Sequence, residues 1–247
     1  MDNFINISDK NQNIYRIEKL TRLLEMFDIK INTLVKPKLW DDPFENFICS
    51  SPFKTKRGDT YKFPLRDRAY GQCWTLIPES DAMWQIYAPN EDGVRIETTI
   101  KKLFMSLHRD NQYNYPYSSC FIGKVEYLKE EELHQLVNDP ERIKELKEIS
   151  DGISEWQART LLIKRIEFKH EEEVRLLYLD PHNKIDKDKW QYSCDPYDLI
   201  KSIRFDPRMD SRLFELYKEH FIKKGYKGEI DKSKLYSLPP LTIPYGD

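Results

Sequence analysis

The chain has 247 residues, 39% hydrophobic and 13% aromatic, enough for one large domain with a real core and too many for disorder to be the default. Charged residues make up 33% yet leave a formal net charge of -2, so no global field calls for a nucleic-acid or membrane partner. No run approaches the roughly 18 apolar residues needed to span a bilayer. The opening MDNFINISDKNQN lacks the basic and apolar regions of a signal peptide, so a cytoplasmic protein is expected.

In chain order, Ile14 to Ile17 open a strand or a short helix, and Leu20, Leu23, Leu24 and Phe27 follow with helical spacing. IKINTLV reads as a short strand, broken by Pro37 before a polar turn on Asp41, Asp42 and Pro43 that leads to Glu45. Residues 50 to 70 carry six Lys/Arg against two acids, interleaved with Phe53, Tyr61, Phe63 and Tyr70, and read as a basic, aromatic loop. GQCWTLI resembles a buried strand, and Ser80 or Asp81 caps a helical turn bearing Met83, Trp84 and Tyr87. NEDG is a turn, and VRIET alternates as a strand.

From 126 to 155 there are ten acids against four bases, with Ile143, Leu146 and Ile149 on one face of an amphipathic helix. A further helix carries Trp156, Leu162, Ile163 and Ile166, so residues 126 to 170 read as a helical insert. A strand begins within 171 to 175 and ends at Asp180-Pro181. Another, LIKSIRF, precedes the turn Asp206-Pro207-Arg208, a helix around Leu213, Leu216 and Tyr217, and a last strand near Lys234-Leu235. The order lacks regular βαβ alternation, which places the chain in the α+β class, as one domain around a mixed or antiparallel sheet with helical insertions.

Glu171, Glu173 and Arg175 are two apart, so on an extended strand they share a face. In a cleft such a carboxylate can bond a ribose hydroxyl and stabilise an oxocarbenium-like state. On an exposed strand the same residues form an ordinary ion pair. Trp84 and Tyr87, one helical turn apart, either stack on a nicotinamide or adenine ring or pack in the core. The five histidines have no metal spacing, and no G-x-G-x-x-G, G-x-x-x-x-G-K-[ST] or G-x-S-x-G is present. The four cysteines (Cys49, Cys73, Cys120, Cys194) form no C-x-x-C pair, so no metal and no disulfide framework are expected.

Tyr15-Arg16, Trp40-Asp41-Asp42-Pro43-Phe44-Glu45, Cys73-Trp74-Thr75, Met83-Trp84-x-x-Tyr87, Gly93-Val94-x-Ile96 and Glu171-x-Glu173-x-Arg175, in this order, resemble a bacterial family known as domain of unknown function 2971. That family is similar to ADP-ribosyltransferases, whose mixed fold cradles NAD. The resemblance implies NAD as substrate, bound by Tyr15, Arg16, Thr75, Trp84, Tyr87 and Arg175. Arg16 then holds the phosphates or the nicotinamide ribose, Thr75 orders the site, Glu173 is the catalytic carboxylate and Glu171 serves the incoming nucleophile. Where the family often has His before the Tyr of its Trp motif, this chain has Ile86, and the usual Asn before Asp-Pro-Phe-Glu is Asp41, so no role for that histidine carries over.

The implied layout is a polar segment over residues 1 to 13, an ADP-ribosyltransferase-like domain over 14 to 236 and a tail over 237 to 247. The implied function is mono-ADP-ribosyl transfer by a toxin or phage-defence effector with an antitoxin partner, to an RNA, DNA or protein acceptor. Lys54, Lys56 and Arg57 of the basic loop would present a nucleic-acid acceptor, cations tracking phosphates while aromatics stack bases. The alternative is a non-catalytic nucleotide or nucleic-acid binding module using the same groove.

Overall fold

The computed structural model describes residues 3–40, 42, 52–54, 58–62, 67–109, 119–139, 155–181, 185 and 187–242. Its centre is a mixed, mostly antiparallel ten-stranded sheet with helices on it, an α+β fold. The strands are β1 (Phe4–Ile5), β2 (Asn13–Lys19), β3 (Ile31–Val35), β6 (Ala69–Thr75), β7 (Gly93–Thr99), β8 (Cys120–Lys124), β11 (Glu173–Leu179), β12 (Lys189–Ser193), β13 (Ser202–Phe205) and β14 (Glu229–Lys232). They run in the order β1-β8-β11-β6-β2-β7-β13-β14, while β3 joins β6 and carries β12. Two small pairs stand apart: β4 (Pro52–Lys54) with β5 (Thr60–Lys62), and β9 (Glu126–Leu128) with β10 (Ile163–Arg165).

Alternation along the strands of the main sheet builds two cores, beside a small cluster of Leu133 and Ile163. Val174, Leu176 and Tyr178 of β11 face the larger one, with Tyr70, Trp74, Ile14 and Phe104. Leu177 and Leu179 face the smaller one, with Phe121, Ala158 and Leu161. Helix α1 (Leu20–Ile29) covers the larger core with Leu20, Leu23, Met26 and Phe27, and ends where Lys30 turns left-handed. Helix α3 (Ile100–His108) buries Ile100, Leu103, Phe104 and Leu107 at i, i+3, i+4 and i+7, capped by the Thr99 hydroxyl on the Lys102 amide. The other helices are α2 (Asp81–Tyr87), α4 (Glu130–Asn138), α5 (Glu155–Thr160), α6 (Pro196–Leu199) and α7 (Ser211–Lys223). No helix among the described residues is long and apolar enough to cross a membrane.

Strand β6 pairs with β11 along its whole length, but its other edge has two partners. Thr75 meets Tyr15 of β2, and Gly71 meets Val35 of β3. The sheet therefore forks along β6. The Leu76 amide donates to the Glu172 carbonyl, so in the alternating antiparallel pattern residues 71, 73 and 75 direct their peptide groups away from β11. At 75 and 71 those groups meet β2 and β3; at Cys73 they point into the fork.

Three expectations need correction. The helix assigned to Trp156, Leu162, Ile163 and Ile166 stops at Thr160, because Ile163–Arg165 pairs in parallel with Glu126–Leu128 and a 3-10 turn (Ile166–Glu171) follows. Residues 126 to 170 are thus partly β, and periodicity alone does not separate a short buried strand from a helix. The last strand lies at Glu229–Lys232, before Lys234-Leu235; the helix expected around Leu213, Leu216 and Tyr217 is α7, with Phe214 and Phe221 in the core and Leu213 and Leu216 exposed. The helical face on Ile143, Leu146 and Ile149 lies outside the described residues, as do Asp41, Pro43, Phe44 and Glu45.

Gly71 sits where the indole of Trp40 crosses β6, and a Cβ there would come 2.6 Å from Trp40 Cζ2. An added methyl has no room, and the overpacking should cost about 1–3 kcal/mol. Gly71→Ala is therefore expected to lower the melting temperature by several degrees; an unchanged melt would show that Trp40 moves aside freely.

Candidate active site

A cleft of about 420 Å³ opens at the fork. Its walls are residues 15–17 of β2, Thr33 and Val35 of β3, residues 71–75 of β6, Met83, Ile86 and Tyr87 of α2, and the segment from Lys164 to Glu173. Residues 173, 175, 177 and 179 share one face of β11, so Glu173 and Arg175 continue the side on which Leu177 and Leu179 bury.

Arg175 is fully buried. Its Nε and Nη2 donate to the two Glu173 oxygens at 2.9 and 2.8 Å, and its Nη1 donates to the Leu161 carbonyl at 2.7 Å. The indole of Trp40 stacks on the guanidinium at 4.4 Å. Burial alone would raise the Glu173 carboxyl, but the Arg175 charge and hydrogen bonds, the Lys164 ammonium and the Cys73 thiol outweigh it and hold the group at about 2. Glu173 is thus an anion throughout the physiological range, a hydrogen-bond acceptor and not a proton donor. Its two oxygens offer about four lone-pair directions; Arg175 takes two from behind, and Lys164 and the Cys73 thiol approach the carboxylate from the cleft side.

Glu171 reaches the same wall by a different route from the one its spacing predicts. It ends the 3-10 turn, and Glu172 then adopts a left-handed conformation at φ 41°, so β11 starts only at Glu173. Lys164 of β10 joins the two acids: its ammonium lies 2.5 Å from Glu171 Oε2 and 3.5 Å from Glu173 Oε2. The Tyr87 hydroxyl stands 3.4 Å from the other Glu171 oxygen. Burial, and then the Glu171 charge, push the Tyr87 phenol well above its usual range, which keeps it a donor. The Thr75 hydroxyl donates to the Glu171 carbonyl at 2.5 Å and accepts from the Ile77 amide, tying β6 to the turn that carries the acid.

Of the residues named from sequence, Tyr15, Arg16, Thr75, Tyr87, Glu171 and Glu173 meet at this cleft. Arg16 is ion-paired with Glu18 at 3.3 Å, and the ring of Tyr15 lies under Arg95. Trp84 and Arg175 do not line it. Trp84 is buried behind α2 with its indole N–H on Glu79, because helical spacing turns it toward β7 while Met83 and Tyr87 face the opening. Arg175 is sealed behind Glu173, as described, and acts on the cleft only through that carboxylate. The backbone of Lys54 lies in β4, whereas Lys56 and Arg57 lie outside the described residues.

Sequence reasoning missed Lys164, Arg22 and Cys73, all of which line the cleft. No local spacing announces Lys164, since β10 had been read as helix. Asp42 could be placed in the motif but not its partner: it forms a two-point pair with Arg165, 3.0 and 3.3 Å, next to Lys164 in β10. Cys120 and Cys194 are buried, Cys73 is half-buried in the fork, and Cys49 lies outside the described residues.

The resemblance read from the ordered motifs recurs in comparison with known proteins. Residues 83–176 match the model of a family described as protein of unknown function, DUF2971. Solved structures of Thermus sp. 2.9 DarT match over most of both chains. The complex with carba-NAD+ is 14% identical, covering 92% of this chain and 97% of that one at a TM-score of 0.38. The complex with NAD+ is 12% identical, with 92% and 98% covered and a TM-score of 0.40. The complex with ADP-ribosylated ssDNA is 12% identical, with 92% and 96% covered and a TM-score of 0.41. None of the curated proteins matches the chain.

Two outcomes follow for the site wall. Left-handed backbone costs an ordinary L-residue roughly 1–2 kcal/mol and glycine almost nothing. Glu172→Gly should therefore leave the melting temperature unchanged or raise it, and Glu172→Val should lower it; the reverse order would show that the turn is not strained. For pH, Glu173 is depressed from about 4.5 to about 2, so its contribution is complete above pH 4.5 and is lost as pH falls toward 2. Thermal melts should show wild type losing its advantage over Glu173→Gln across that window, on the order of 3 kcal/mol in all. A constant difference between pH 7 and pH 3 would contradict the pairing with Arg175.

Proposed function

We propose that this cleft binds NAD and cleaves its nicotinamide-ribose bond, passing ADP-ribose to a macromolecular acceptor. The observation that carries the reading is a pair of buried carboxylates, each matched to its own cation, opening on a cleft at the fork of a sheet. Glu173, held as an anion, accepts a bond from a ribose hydroxyl and offsets the positive charge that grows on the sugar as nicotinamide departs with the bonding electron pair. Glu171 takes the proton of the nucleophile that bonds to the anomeric carbon. Arg16 of β2 and Arg22 of α1 supply positive charge for the diphosphate. Tyr15 and Tyr87 offer ring faces, and Thr75 fixes the turn that bears Glu171.

On this reading the chain is a mono-ADP-ribosyltransferase of the cytoplasm, a toxin or phage-defence effector held in check by an antitoxin. Its acceptor is a nucleic acid presented near Lys54, Lys56 and Arg57, or a protein. A non-catalytic nucleotide-binding module would keep the same ion pairs, and chemistry separates the two.

Purified protein with labelled NAD and separate single-stranded DNA, RNA and protein fractions should release nicotinamide and label one fraction. Glu173→Gln should lose about a hundredfold or more of that activity while NAD still binds. Arg16→Ala should weaken NAD binding about ten- to a hundredfold without unfolding the protein. Wild-type protein that binds NAD but releases no nicotinamide with any fraction would leave the binding-module reading in its place.

A further inference from the structure

Lys164 stands out among the charged groups of the site. Only 6% of its side chain is exposed, yet it lines the cleft. Arg175 already satisfies both oxygens of Glu173 from behind, so stability of that acid does not call for a second cation. Nor does a buried ion pair in general outperform apolar packing of the same shape. What Lys164 does achieve is positional: its ammonium lies over the Phe168 ring at 4.6 Å, bonds Glu171 and faces Glu173. Glu171 is thereby held at one oxygen by Lys164, at the other by Tyr87 and at its carbonyl by Thr75.

We infer that Lys164 is a positioning residue that offsets the repulsion between the two carboxylates and aims Glu171 at the incoming nucleophile. The inference rests on the NAD-cleaving reading above. In the step it serves, the nucleophile's lone pair forms the bond to the anomeric carbon and the ribose-nicotinamide bond breaks with its electrons on nicotinamide. The nucleophile's proton passes to Glu171. The titratable groups facing Glu171 are Lys164 from β10, Glu173 from β11, Tyr87 from α2 and Tyr127 from β9, with Cys73 of β6 on the Glu173 side and His170 next in the chain. Removing the one ammonium leaves two acids and neutral or more distant groups, so proton acceptance should fail first at low pH.

Water and azide separate this role from a structural one, because water must lose a proton as it attacks and azide carries none. Nicotinamide release from NAD is measured from pH 5.5 to 9, with and without sodium azide, for wild type, Lys164→Met, Lys164→Arg and Glu171→Gln, with melts as the fold control. At pH 7 without azide, Lys164→Met and Glu171→Gln should fall at least about tenfold, and Lys164→Arg should stay within about threefold of wild type. The acid limb of the Lys164→Met profile should move to higher pH by a unit or more, and azide should restore both weakened variants but not Glu173→Gln. Lys164→Gln, of similar reach without charge, takes the place of Lys164→Met if the latter does not melt cooperatively. A Lys164→Met profile that superimposes on wild type, or a loss that azide leaves untouched, overturns the inference while the NAD reading stands. Wild-type protein that releases no nicotinamide under either condition, nor with any of the DNA, RNA or protein fractions, removes the NAD reading, and the inference with it.

Discussion

The two-point bond between Arg175 and Glu173 is the constraint around which the rest of the site is arranged. A fully buried guanidinium is tolerated only with its donors satisfied, and removing one partner of such a pair costs about 3–5 kcal/mol. Here the donors go to Glu173 and to the Leu161 carbonyl, and the flat face goes to Trp40. Trp40 in turn needs the absence of a side chain at Gly71, and Asp42, two residues on, pairs with Arg165, next to Lys164. One ion pair thus connects β11, β6, the Trp40 turn and β10, which are the pieces that enclose the acids.

The fork of the sheet supplies the other half. Because β6 is shared between β2 and β3 on one edge, the strand that faces Glu173 and Arg175 also borders an opening, without a separate domain being needed. The cation-to-acid balance is local: Arg175 answers Glu173 from behind, Lys164 answers Glu171 from the side, and Arg16 of β2 and Arg22 of α1 line the cleft. The proposal of a ligand with a diphosphate and a sugar cation in formation rests on that division of charge.

Much of this was legible in sequence where a pattern is local. The buried-strand character of GQCWTLI, the alternation of VRIET, the helical spacing of α1, and the start of a strand within 171 to 175 correspond to β6, β7, α1 and β11. Glu173, Thr75, Tyr87 and Arg16 were reachable because the ordered motifs name them. Lys164 was not, since its meaning depends on a parallel pairing with residues 126–128, far away in the chain. The proximity of Glu171 to Glu173 was expected for the wrong reason: a continuous strand was assumed, and a left-handed Glu172 achieves it instead. Trp84 and Arg175 show the limit of motif reasoning, because a residue can define a site by packing behind it as readily as by touching a ligand.

The claim that the forked cleft is an NAD-cleaving site is tested most directly by a crystal structure of the protein with a non-cleavable NAD analogue. The account predicts the analogue in the fork, with its ribose hydroxyls toward Glu173, its diphosphate at Arg16 and Arg22, and the open side of its anomeric carbon toward Glu171. An analogue bound with its ribose away from Glu173, or excluded from the fork at saturating concentration, would contradict it.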